Sequence, residues 1–87
     1  MLMGKVIGSV VSTQKNASLV GKKLMIVQPI NGLKEEVRFQ QVAADTVGAG
    51  IGDYVLLNTG SSARHLFQDA SEAVDCAIIG IIDTFDL

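Results

Sequence analysis

The chain has 87 residues and a formal net charge of -2, room for one domain with a thin core; with no Trp and 5% aromatics it lacks the basic footprint and stacking rings of a nucleic-acid binder. It is 48% hydrophobic and 18% charged, where a usual soluble domain is about 25% charged, and a domain this small hides only roughly 60–65% of its unfolded surface, so part of the apolar excess is expected to face another subunit. One cysteine, Cys76, excludes an internal disulfide, and the apolar run Ala77 to Ile82 is far shorter than the ~20 residues a membrane span needs.

The first strand is expected over Met3 to Thr13, with Gly8 marking a bend or a close backbone approach. Gln14 to Gly21 reads as a loop whose small and polar residues build no face. Leu24 to Gln28 reads as a strand covered on both sides, and Pro29 is expected to end it or place it at an edge. Asn31-Gly32 is a turn signal, because both residues tolerate positive φ. Val37, Phe39, Gln41 and Ala43 alternate with Glu36, Arg38, Gln40 and Val42, the period of a half-buried strand.

Gly48, Gly50 and Gly52 punctuate a loop before the strand Tyr54 to Leu57. Thr59 to Ser62 breaks that strand, and Ala63 to Gln68 favours a short helix. Ala77 to Ile82 is the last strand. The fold class is therefore all-β: a five-stranded OB-like β-barrel with one short helix, in a single domain covering 1–87. The start of the chain, Met1 to Lys5, lacks the layout of a signal peptide, so a soluble, cytoplasmic protein is expected.

Charge divides along the chain. Residues 1–34 carry five lysines and no acid; the remainder carries two arginines against nine acids. Solvated faces mixed by the fold explain this, and so do complementary patches that orient neighbouring subunits. Assembly that weakens with salt would favour the patches.

No constellation points to catalysis, a metal or a cofactor. Gly48-Ala49-Gly50-Ile51-Gly52 has the wrong spacing for a dinucleotide or P-loop cradle and leads into a strand, so a turn needing positive φ accounts for it better. Ser61, Ser62 and His65 are parts of a hydrolytic triad, but Gly60-Ser61-Ser62-Ala63-Arg64 lacks the second glycine of a nucleophile elbow. His65 and Asp69 have the spacing of a helical surface pair. One His and one Cys make no zinc set. Cys76, inside an apolar run, is expected to be a buried and inert thiol.

Several blocks resemble a known family in the right order and over nearly the whole chain. Gly4 to Lys15 (GKVIGSVVSTQK) is similar to the opening of the CcmL/EutN family of carboxysome and ethanolamine-utilisation vertex proteins, as is Leu24 to Pro29 (LMIVQP). The most specific stretch is Ala44 to Leu56 (ADTVGAGIGDYVL), followed by Gly60-Ser61-Ser62-Ala63-Arg64 and Val74 to Asp83 (VDCAIIGIID). Departures are Ala73, where the family often has Pro, and Cys76, where Ala is usual.

The resemblance implies a structural, non-enzymatic protein: a homopentamer at the vertices of a polyhedral bacterial microcompartment shell, beside hexameric shell proteins. From composition and the short apolar runs, no nucleic-acid or membrane partner is expected. The resemblance further implies a narrow central pore lined by Gly60, Ser61 and Ser62. Small residues suit chains that converge on a symmetry axis, and their N–H and hydroxyl groups would make a polar rim. Two other readings of the residues are an OB-like module for single-stranded nucleic acid or a short polymer, and a small hydrolase using Ser61 or Ser62. The acidic composition and scarce aromatics count against the first.

Overall fold

A computed structural model describes residues 1–13, 15–60 and 75–87. Its strands are β1 (Leu2–Val10), β2 (Leu24–Ile30), β3 (Gln41–Asp45), β4 (Tyr54–Thr59) and β5 (Cys76–Ile81). They close into a barrel in the order β1-β2-β3-β5-β4, with β4 returning to β1. All neighbours are antiparallel except β3 and β5. The expected all-β barrel is thus present. The helix expected over Ala63 to Gln68 lies outside the described residues.

The interior is built from the inward positions of all five strands. Val6, Val27, Ala43, Val55, Leu57 and Ile78 are fully buried, with Met25, Ala49 and Cys76 around them. β-branched side chains suit this pleated wall because their restricted rotamers pack without further entropy loss. Each large one contributes roughly 1.5–3 kcal/mol by leaving water. A second apolar cluster forms outside the barrel wall, where Ala44 and Ala77 are register partners and Leu19, Leu24 and Ile79 pack on them. Leu19 comes from a single 3-10 turn, Ala17–Leu19. The loop whose residues are expected to build no face therefore does supply one packing residue.

Two register shifts bend the wall. In β1, Val6 pairs with Val27 but Gly8 with Ile26, so Ile7 is the extra residue of a bulge at the place Gly8 marked. In β5, Leu57 pairs with Ile78 and Leu56 with Gly80, leaving Ile79 extra. Gly4 allows β1 to cross close to β2: a Cβ there would collide with the Val27 side chain and lie 3.2 Å from the Gln28 carbonyl oxygen.

Three sequence expectations need correction. The first strand ends at Val10, short of Thr13. Of the two expectations for Pro29, an end to β2 fails, since the strand runs on to Ile30, and an edge position holds, since the β2–β3 pairs stop at Val27; the residue is fully buried and pairs with Gly4. Its carbonyl accepts from the Val37 N–H at 3.2 Å on the side away from β1. The ring nitrogen faces that same side, past the last β2–β3 pair at Val27, so no ladder bond is lost. Finally, the alternating segment from Glu36 to Gln40 is not a strand. It makes one isolated bridge, Ile30 with Glu36, and every residue in it is exposed.

Candidate functional site

The glycine loop between β3 and β4 is organised by two carboxylates. Asp45 Oδ1 accepts from the N–H groups of Val47 at 3.0 Å and Gly48 at 3.2 Å, and Oδ2 accepts from Ala49 N–H at 2.8 Å. Lys23 Nζ stands 3.3 Å from the same Oδ2 and donates to the Ala49 carbonyl at 2.7 Å. Asp53 Oδ2 accepts from Gly50 N–H at 2.8 Å. Gly48 and Gly52 have φ of 80° and 95°, which a side chain would strain; Gly50 does not. The loop closes onto β1 through Gly52 N–H to Val6 carbonyl at 2.8 Å and Val6 N–H to Asp53 carbonyl at 2.9 Å. Its amide donors are thus already bound to the chain's own carboxylates, and an incoming phosphate would meet Asp45 and Asp53. The turn reading of these glycines holds at two of the three.

Sequence reasoning missed Asp45 and Lys23. The available signal was an aspartate followed three residues later by a turn glycine, a side chain placed to bond its own backbone.

The β2–β3 connection, residues 31–40, is built differently. Asn31 Oδ1 accepts from Leu33 N–H at 2.9 Å and Glu35 N–H at 3.0 Å, and Asn31 Nδ2 donates to Glu35 Oε1 at 2.9 Å. The turn expected at Asn31-Gly32 exists, but its left-handed residue is Lys34, with φ 64°. Further on, the half-open backbone is tied by Gln28 Nε2, which donates to the Arg38 carbonyl at 2.9 Å and to that of Pro29 at 3.0 Å. Leu33, Val37 and Phe39 face solvent, Phe39 with 93% of its surface exposed. An open depression of about 1040 Å³ is lined by Gln28 and residues 36–41.

Other large apolar side chains are also exposed: Ile7, Val11, Val20, Val42, Val47 and Ile51. On the outer wall Val42 sits opposite Ile26, which sits opposite Gly8. This is the apolar excess that composition required to face something other than the core.

At the far end of β4, Gly60 is exposed in a left-handed conformation, φ 73°, and its N–H donates to the Asp75 carbonyl at 2.8 Å. Leaving out its chain neighbours, no atom of the described residues lies within 4 Å of where its Cβ would stand. It therefore caps the β4–β5 ladder just past the Thr59–Cys76 pair, at one rim of the barrel. Ser61, Ser62, His65 and Asp69 lie outside the described residues.

Cys76 is buried as expected, and burial, reinforced by the neighbouring Asp75 charge, pushes its thiol up from 9.0 to about 11. Such a thiol is a poor nucleophile. Among the described residues no group of three or more His, Cys, Asp or Glu could hold a metal ion, and no helix is long and apolar enough to cross a membrane.

The description "Ethanolamine utilisation protein EutN/carboxysome" belongs to the family whose profile matches residues 1–83. The chain belongs to this EutN/CcmL family. Its similarity to the microcompartment shell vertex protein PduN of Salmonella typhimurium is 49% identity over 97% of both chains. Among solved structures, the GrpN pentameric microcompartment shell protein from Rhodospirillum rubrum superimposes with a TM-score of 0.87 at 46% identity, covering 100% of this chain and 98% of that one. CcmL of Gloeobacter violaceus gives 0.87 at 44% identity, covering 100% and 90%. The EutN/CcmL match takes in the barrel, the carboxylate-bound loop and the Gly60 rim together, so these features are read as parts of one family fold.

Proposed function

We propose that the chain is a structural shell protein that forms homopentamers and caps the vertices of a polyhedral bacterial microcompartment in the cytoplasm. The observation that carries this is the full-length similarity to proteins named as microcompartment and carboxysome shell vertex proteins, together with a barrel that matches a pentameric one from end to end. Physical reasoning runs the same way. Six-fold tiles alone make a flat sheet, and a closed shell needs five-fold points. A ring of identical chains uses a heterologous contact, two different patches on each subunit, and closes when the rotation fits. The chain has exposed apolar side chains on more than one side to supply such patches.

The edges of the ring would abut hexameric shell proteins, and Gly60, Ser61 and Ser62 would line the axis. What supports the rim reading is Gly60 itself: exposed, at a barrel end, in a left-handed conformation that suits glycine. No catalytic step is assigned to the chain.

Native mass measurement tests the main reading. A particle of five times the 9.2 kDa chain mass is expected. A monomer under mild conditions would remove it. Ser62→Trp is expected to narrow the pore while leaving the pentamer intact; residue 62 lying far from the axis in a crystal of the ring would sink the rim assignment alone.

A further inference from the structure

After β5 the chain doubles back over the outside of the barrel. Ile82 N–H donates to the Tyr54 carbonyl at 2.7 Å, one step past the Val55–Ile81 pair that ends the β4–β5 ladder. Phe85 then meets the Tyr54 ring edge to face, centroids 5.3 Å apart at 85°. Lys34 Nζ lies 4.8 Å from the Tyr54 centroid and 5.2 Å from that of Phe85, and Lys5 Nζ lies 5.7 Å from Tyr54. Leu87 approaches Gly32 so closely that a Cβ there would stand 2.9 Å from its Cδ2. The tail forms one wall of a groove of about 440 Å³ whose other wall includes Met3, Leu56 and Ile81.

Met3 and Leu56 are register partners, and Leu56 pairs with Gly80, so this groove runs along the outer face of β1, β4 and β5. The tail is anchored by one ring. Phe85 is half-buried against that face, while Asp83, Thr84 and Asp86 are exposed and Leu87, 89% exposed, touches Gly32 by its side-chain end only. Lys34 holds the strained left-handed conformation of its turn, and its ammonium is placed where it faces both rings. Turn and tail therefore act as one body, joined across a face that would otherwise show Met3, Leu56 and the Tyr54 ring to water.

We propose that residues 84–87 are a strap that caps the outer β1–β4–β5 face and withholds it from association, leaving contact between subunits to the apolar side chains elsewhere. The occupant of this face is the chain's own tail.

The test compares the full chain with a chain ending at Asp83 and with Phe85→Ala. Tyr54 is the sole tyrosine and there is no Trp, so intrinsic fluorescence reports directly on whether the strap is docked. Both variants are expected to keep the far-UV circular dichroism of the barrel, to change Tyr54 emission, and to raise the mass seen by light scattering by about two-fold or more at equal concentration, as a newly exposed apolar face associates. Phe85→Tyr keeps the ring and is expected to keep the mass of the full chain; because it adds a second tyrosine, it is judged on mass alone.

Unchanged Tyr54 emission, or unchanged mass, would overturn the proposal. A drop in mass would also overturn it, since the tail would then be holding subunits together. If the trimmed chain does not fold, Phe85→Ala carries the test alone. The mass of the full chain decides the pentamer reading separately, because the strap is judged only on the difference between full chain and variants.

Discussion

Two connections on the same barrel are built on opposite principles. The β3–β4 loop, residues 46–53, is rich in glycine and reads as a flexible linker. Yet it is firmly bound: the Asp45 side chain, only 1% exposed, takes three backbone N–H groups and the Lys23 ammonium, and Ala49 is fully buried. The β2–β3 connection, residues 31–40, alternates apolar and polar residues like a strand. Yet after its Asn31 turn it is held by little more than Gln28 and one backbone bond, and Phe39 stands in solvent. The difference teaches that polar bonding fixes a connection to its own barrel, whereas exposed apolar alternation is surface available to a neighbour.

The largest expected effect comes from breaking the bound loop. Asp45→Ala leaves three N–H groups and a lysine without their acceptor, and is expected to cost about 3 kcal/mol in denaturant unfolding. Asp45→Asn keeps an oxygen for Val47 and Gly48 and is expected to cost about 1 kcal/mol. Equal losses in the two variants would mean that the charge toward Lys23, and not the amide bonds, holds the loop.

Next is the thiol of the barrel core into which that loop sends Ala49. Ala49 and Cys76 belong to the same apolar core. With the thiol pushed to about 11 from 9.0, its thiolate at pH 8 is roughly a hundred-fold scarcer than that of an ordinary cysteine, and alkylation slows accordingly. The folded state keeps a proton that the unfolded chain surrenders near 9.0. The stability this group contributes is therefore complete below pH 9 and lost as pH rises towards 11. Labelling as fast as a free thiol in the full chain would show that the barrel core opens readily. Faster labelling in Asp45→Ala than in the full chain is the sharper outcome, since it ties the loop to that core.

The three loop glycines divide the comparison more finely. Gly48→Ala forces a side chain into φ 80° with open space around it, so the cost is backbone strain alone, about 1 kcal/mol. Gly50→Ala has no such strain; its Cβ would stand 3.7 Å from Asp53 Oδ2, ordinary contact, and thermal melting is expected to move little. The reverse order would mean that the loop adopts another backbone than the one described.

The barrel was legible in the sequence because its burial follows local patterns. Val6, Val55, Leu57 and Ile78 sit in short β-branched runs bounded by Gly, Asn or Asp, and such runs pair wherever a neighbour is available. Alternation at Glu36 to Gln40 predicts a strand because period two says which residues share a face. It does not say whether a second strand exists to cover that face. The Lys23–Asp45 contact was invisible for a related reason. It follows from the β2–β3 register, which sets Leu24 beside Ala44 and lets Asp45 N–H donate to the Lys23 carbonyl at 2.9 Å. The rim role proposed for Gly60, Ser61 and Ser62 rests on resemblance, since no pattern within one chain encodes where identical chains would meet.

The smallest expected effect is the one that most directly tests the open connection. Phe39→Ser removes a ring that is 93% exposed and touches no core cluster. Unfolding of the barrel under conditions that keep it monomeric is expected to change by no more than about 0.5 kcal/mol. A buried phenylalanine lost to a small residue would instead cost about 3–5 kcal/mol, so the two cases are far apart. A loss of that size would mean that residues 36–40 fold back onto the barrel in solution, and the contrast between the two connections would fail. A barrel of unchanged stability whose subunits associate less tightly would place Phe39 in a contact between chains, which is where an apolar side chain left outside the core gains the burial its own fold does not give it.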